Sequence, residues 1–431
     1  MGTTMSTVPA SASESLRVYL PDHDLMAMAG APAVYHCHHF NLFLDQTVDD
    51  ALGREGGAQL RFNAARESAH TFLQQLCVRK GAVTPVEKMQ CAMETFAAMG
   101  HGKLQVGAAA AGGAAIGEFL HYGYSWMQKY GQKVRRRSPA DAFAAGYAAA
   151  AVEVAFGVPR ETMDTAEIAC VATRAEQCRF ELKQSASPPA QVAPVRDTEV
   201  RAQLRPTFNG GDEETIAGIA KGLRDFTAGV SGDERGLVQA FGVFVTMHLA
   251  GYYNRISFDA LAATEKRAPD SVGVLEELLR ESGHVCVFNT FGGILASPEW
   301  EGMVGKHSGD PRPIVAGSLA IARALGFGHW TLQEFVPNKT LVVRAPATYE
   351  SVYYLSRHGV AKRGPELFFQ GAALAIAQLA HRVKWTEPVH LTAEVYEALF
   401  HGGALPWKVE QTQSTAMGHP FSEVVVTHVG A

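Results

Sequence analysis

Glu167-Ile168-Ala169-Cys170, followed by seven residues and then Cys178, is the most specific chemical pattern in the chain. Two thiolates and a carboxylate are competent zinc ligands, and closed structural zinc sites take four. In an extended strand, residues three apart project to different sides, so a bulge or turn must bring Glu167 and Cys170 together. The residues between the cysteines, through Ala172-Thr173-Arg174-Ala175-Glu176-Gln177, suit a hairpin turn that returns Cys178 beside Cys170. The alternative reading is a pair of buried thiols facing each other across a hairpin, because cysteine is common in protein cores.

A second cluster, Tyr35-His36-Cys37-His38-His39-Phe40-Asn41, lies near the N-terminus. Read as a strand, it places His36 and His38 on one face and Cys37 and His39 on the other. A His-x-His pair can bind one metal, iron among the candidates, and then needs further ligands. Glu94, His101 and His121 are available elsewhere in the chain. The same imidazoles also suit the wall of a pocket for an aromatic or carboxylate ligand, or a hydrogen-bonded place in the core.

The elements around these residues come in two similar series. Phe96 to Leu104 (FAAMGHGKL) and Ala324 to Leu332 (ALGFGHWTL) each put Gly-His at a turn between an apolar helix and a strand. Aromatic clusters follow, from His121 to Trp126 and from Tyr349 to Leu355. Next come Ala-rich helices from Ala142 and from Leu367, which align on Gly146 and Gly371. Each series ends in a strand, turn and strand, from Glu167 and from Val409. Four matches in one order argue for duplication of an α+β module. Ser185 to Pro206, rich in Pro, Ala and Ser, reads as a linker. The expected organisation is a tail (1–29), a first module (30–184), a linker (185–206) and a second, degenerate module (207–431). Extra residues between Val383 and Leu405 mark divergence of the second copy.

The Gly146-Tyr147-Ala148 helix, Phe156-Gly157, then Glu-x-x-Cys, seven residues and Cys178-x-Phe180 together resemble the 4-vinyl reductase domain family. The motifs cover about Glu94 to Leu182, and the second half follows more loosely. That resemblance implies helices packed on an antiparallel sheet, with two copies arranged as a pseudo-dimer. It implies similarity to the ligand-binding domains of aromatic-sensing regulators and to trafficking subunits that dimerise. It implies zinc held by Glu167, Cys170 and Cys178 beside an apolar pocket containing a His and a Trp, for which His101 and Trp126 match in order. The family's fourth ligand, an earlier cysteine, would lie near Ala144, where this chain has none. Cys91, a water or no metal at all would then fill the place. Gln413 and Phe421 stand where the second copy's cysteines would be, so that copy is expected to be metal-free.

Composition narrows the function classes. A formal net charge of −5, with 19% charged residues, gives no electrostatic basis for nucleic acid or an anionic membrane as partner. Met1 to Ser15 lacks a basic start and apolar core, and Ala140 to Phe156 carries Asp141 and Glu153, so neither reads as a signal or a membrane span. A soluble, cytoplasmic protein is expected, its six cysteines serving as thiols or metal ligands. No dinucleotide fingerprint, phosphate loop or nucleophile elbow is present. The expected function is binding of a small apolar or aromatic molecule, with His36, His38, His101 and Trp126 bordering one cavity. A metal-dependent enzyme acting on a small organic substrate through His36 and His38 is the alternative. A scaffold is the second, and a homodimer is compatible with each.

Overall fold

A computed structural model describes residues 17–20, 22–185, 195–398 and 407–430. The first half runs through β1 (Arg17–Leu20), β2 (Leu25–Met28), β3 (Ala31–Cys37) and helices His38–Leu52, Arg54–Lys80 and Pro85–Ala98. Strands β4 (Lys103–Ala109) and β5 (Gly112–Glu118), helices His121–Tyr130 and Ala142–Phe156, and strands β6 (Met163–Ala169) and β7 (Cys178–Gln184) follow. The second half contains β8 (Val238–Ala240), β9 (Val243–Leu249) and helices Ala250–Arg267, Val272–Cys286 and Arg312–Ala324. It continues with β10 (Thr331–Val336), β11 (Thr340–Ala345), helices Tyr349–His358 and Leu367–Arg382, β12 (Trp407–Gln413) and β13 (Ser422–His428).

Three antiparallel sheets result, with helices packed on them. Two have four strands each, in the orders β4-β5-β7-β6 and β10-β11-β13-β12. The third has five, β1-β2-β3-β9-β8, and joins the halves through β3 and β9. Tyr35 pairs with Met247 there, and Val34 with His248 and His36 with Thr246 on either side.

The Ala-rich helices are the centre of each half. The helix Ala142–Phe156 is buried at nearly every position, since alanine lets neighbouring backbones approach closely. Gly146 is required by that approach: a Cβ there would strike the carbonyl oxygen of Phe62. Gly371 does the same service against Arg280 in the second half. Among the described residues, no helix is long and apolar enough to cross a membrane.

Four expectations need correction. Residues 17–20 and 25–28, within the expected tail, pair as β1 and β2, because Leu20, Leu25, Met26 and Met28 give them an apolar face to bury. Residues 1–16 of the expected tail lie outside the described residues. Within the expected linker, Asp197–Ala202 is helical and buries Val200, while 186–194 lie outside the described residues. Strand β3 stops at Cys37, and His38 opens a helix, because Phe40, Leu44 and Val48 recur at helical spacing and bury that side. His36 and His38 therefore do not share a strand face. The positions matching Cys170 and Cys178 are Ser414 and Ser422, each one residue beyond Gln413 and Phe421. Ser414 precedes the turn Thr415–Met417 as Cys170 precedes Val171–Thr173, and Ser422 opens β13 as Cys178 opens β7.

Candidate metal centre

Strands β6 and β7 supply three members of the site. Their register shifts between Glu167 and Ala169, and this bulge turns Glu167 toward the side on which Cys170 lies. Cys170 precedes a short turn, Val171–Thr173, which closes with Arg174 in the left-handed region (φ 75°). The chain then re-enters the sheet at Cys178, leaving the two sulfurs 3.9 Å apart. That separation suits two thiolates on one zinc, whose Zn–S bonds are about 2.3 Å.

The fourth member is Asp141, which precedes the Ala-rich helix. It stands three residues before Ala144, where a cysteine had been expected. One ligand atom from each of Asp141, Glu167, Cys170 and Cys178 lies within 4.8 Å of the others. Asp141 Oδ2 accepts from Cys178 Sγ at 3.3 Å and from Cys170 Sγ at 3.6 Å. The backbone fixes both carboxylates: Gly123 N donates to Asp141 Oδ1 at 3.0 Å, and Asp141 N donates to Glu167 Oε2 at 2.8 Å. Gly123 has to be glycine, since a Cβ there would strike Asp141 Oδ2. Glu167 Oε1 is buried with no partner among the described residues.

Three of these four acids, Asp141, Glu167 and Cys178, hold their protons more tightly than usual. Burial, reinforced by the Cys170 charge, pushes Asp141 well above the usual carboxylate range. Burial and then Asp141 do the same for Glu167. Within the thiol pair, the hydrogen bond from Cys178 lowers Cys170 to about 6 and raises Cys178. A divalent cation would replace those protons and relieve the repulsion. Two thiolates and two carboxylates fit zinc by donor type and number.

An open cleft of about 450 Å³ adjoins the group, and Glu167 belongs to its lining together with Arg54, Phe62, Ala142, Ala145 and Thr165. No family model matches this sequence, and no curated protein does. Among solved structures, the chain is similar to the phenol-responsive sensory domain of the transcription activator PoxR with phenol. The identity is 16%, covering 41% of this chain and 88% of that one, with a TM-score of 0.33.

The other residues singled out from sequence are placed as follows. His36 is fully buried, stacked on Phe40 with centroids 3.8 Å apart and its Nδ1 3.4 Å from Cys286 Sγ. His38 Nδ1 accepts from Phe244 N at 3.2 Å. His101 packs between Phe96 and Phe143, with Nε2 3.3 Å from the Met247 carbonyl oxygen. His121 Nε2 meets Asn41 Nδ2 at 2.9 Å. Trp126 contacts Tyr130, its nearest ring, at 5.9 Å. The cleft beside Glu167 is lined by none of His36, His38, His101 and Trp126. Cys91 lies beside Cys77, and Glu94 accepts from Gln90 one turn earlier on its own helix. Sequence reasoning missed His248, which packs on His101 at 4.8 Å and receives a contact from Tyr122. It missed Asp141 too, although Asp-Ala at the start of an apolar helix is a legible N-terminal signal.

Proposed function

We propose that this chain is a duplicated, 4-vinyl-reductase-like binding protein whose first half holds zinc through Asp141, Glu167, Cys170 and Cys178. The two halves form a pseudo-dimer through β3 and β9, and a small, largely apolar molecule binds in the cleft next to Glu167. One observation carries the reading: Glu167 belongs both to a buried four-ligand group and to an open cleft of about 450 Å³. Phe62, Ala142 and Ala145 give the cleft an apolar wall, and Arg54, Glu55, Gln59, Arg61 and Thr165 line the rest of it with polar and charged groups. The ion would brace the corner where β6, β7 and the Ala-rich helix meet, and thereby fix that wall.

Metal analysis of the purified protein tests the reading. One tightly held zinc per chain is expected, falling to none in Cys178→Ser. Protein that takes up no metal under zinc excess refutes the site, and redox-active iron in its place favours the enzyme reading.

A further inference from the structure

The turn between β8 and β9 has two residues, Phe241-Gly242, because Ala240 pairs with Val243. Both have positive φ, 51° and 76°, as in the primed hairpin turns. Glycine and asparagine adopt this backbone readily, whereas a phenylalanine is strained by roughly 1–2 kcal/mol. The matching turn between β2 and β3 is made by Ala29-Gly30, so the turn itself does not call for an aromatic ring. Ala29 bears the same backbone strain without a ring, and the ring of Phe241 packs on Phe226 with centroids 5.4 Å apart. Phe241 lines a second open cleft, of about 410 Å³, between the two halves.

Two further features meet at this cleft. The helix Val272–Cys286 continues through a π-turn, Val287–Phe291, a local insertion that is frequent at functional sites. Asn289 in that turn lines the cleft. Its Nδ2 donates to the Val285 carbonyl oxygen at 2.8 Å, and its Oδ1 remains an acceptor. From the other half comes His39, whose Nδ1 accepts from Lys129 Nζ at 2.8 Å. That bond places the ring proton on Nε2, a donor. Val389 and Leu391 complete an apolar side.

We propose that this cleft is a second small-molecule site, for a neutral aromatic ligand carrying a donor–acceptor group of the carboxamide type. Phe241, Val389 and Leu391 take the ring, while His39 and Asn289 offer one donor and one acceptor. Glu299 at the cleft disfavours an anion, and Lys129 beside His39 disfavours a cation. The site is independent of the metal group.

Benzamide is the probe, titrated against the full chain by saturation-transfer NMR, with benzoate and benzylamine as charged controls. Saturable benzamide binding, stronger than either control, is expected. Ala296→Phe fills the cleft and should abolish binding, while Ala58→Phe, in the cleft beside Glu167, should leave it unchanged. Phe241→Asn should weaken binding about fivefold to tenfold through lost ring contact, with the melting temperature unchanged or raised because asparagine accepts the positive φ. Absent binding, binding retained in Ala296→Phe, or binding lost in Ala58→Phe overturns the proposal. So does a Phe241→Asn variant that binds normally and melts lower, since the ring would then serve only the fold.

Discussion

At Asp141 the Ala-rich helix of the first half begins beside two cysteines and a glutamate; at Glu366 the corresponding helix of the second half begins beside two serines and a glutamine. The backbones are nearly the same. Cys170 and Ser414 have φ, ψ of −143°, 138° and −145°, 130°, the following turns close with Arg174 and Gly418 in the left-handed region, and both strand pairs carry a bulge, at Glu167/Ala169 and Gln411/Gln413. What differs is how the buried polar groups are satisfied. Glu366, one methylene longer than aspartate, accepts from Ser414 Oγ at 2.5 Å and from Ser422 Oγ and Gln411 Nε2. The shorter Asp141 takes one backbone donor, Gly123 N, on Oδ1 and only weak thiol donors on Oδ2, and Glu167 Oε1 has no partner among the described residues. Since the second corner reaches this backbone with hydrogen bonds alone, a cation is not needed to shape it. The first corner is the one whose polar groups a cation would complete.

The largest expected effect separates the two corners by metal. Chelation, or Cys178→Ser, should remove the ion and cost stability in proportion to metal binding, about 4 kcal/mol where zinc exceeds its dissociation constant a thousandfold. The melting temperature read with and without chelator checks this. Ser422→Cys alone should stay indifferent to chelator. The comparison is sharpened by rebuilding the second corner as the first: Glu366→Asp, Gln411→Glu, Ser414→Cys and Ser422→Cys together should add a second zinc equivalent by elemental analysis. If they add none, the match between the corners is backbone only, and the first site depends on more than its four ligands.

Next in size is the hydrogen-bonded corner itself. Ser422→Ala removes a donor to the buried Glu366 carboxylate and should cost about 1.5–3 kcal/mol, measured by urea denaturation. Ser138→Ala, in the cleft beside Glu167, should cost less than about 0.5 kcal/mol. Equal effects would mean that Glu366 is already satisfied by Ser414, Gln411 and Thr348.

Much of the first corner was legible in the sequence. Glu-x-x-Cys demands a bulge, and the bulge is present; the seven-residue return demands a hairpin, and the sulfurs meet. The fourth member of the group was not legible as a cysteine because Asp141 reaches it from the helix start and not from its first turn. The order of the elements was legible too, since glycines at 146 and 371 mark helix crossings that no larger residue permits. The His cluster misled because period two and helix onset overlap at Cys37 and His38: one more alternation looks like strand, yet Phe40 and Leu44 already bury a helical face. The one-residue slip to Gln413 and Phe421 arose because a buried serine carries no motif of its own. The packing of His36 and His248 against Tyr253 depends on β3 pairing with β9, a contact between residues about two hundred apart that local patterns do not encode.

Where the corners differ, the shared sheet keeps one residue type: His36 and His248 lie at corresponding positions on either side of the Tyr35–Met247 pair. Both are fully buried, and burial holds each well below the ordinary imidazole value. An unfolded histidine takes up a proton near 6.5, so below that pH the unfolded chain binds more protons than the folded one, and stability is lost as pH falls. Asp45 and Glu153, raised to about 7, and Glu350, raised to about 8, act in the opposite sense between their unfolded values and those pH values. The parent's own profile is therefore flattened, and a difference measurement is needed. Relative to the parent, His36→Gln and His248→Gln should each gain up to about 1.4 kcal/mol per pH unit below 6.5, whatever their offset at pH 7. Urea melts at pH 7, 6 and 5 read this slope. Equal slopes in the two variants mean that the centre treats both halves alike; a slope in only one places the difference between the halves at the shared sheet as well as at the corners.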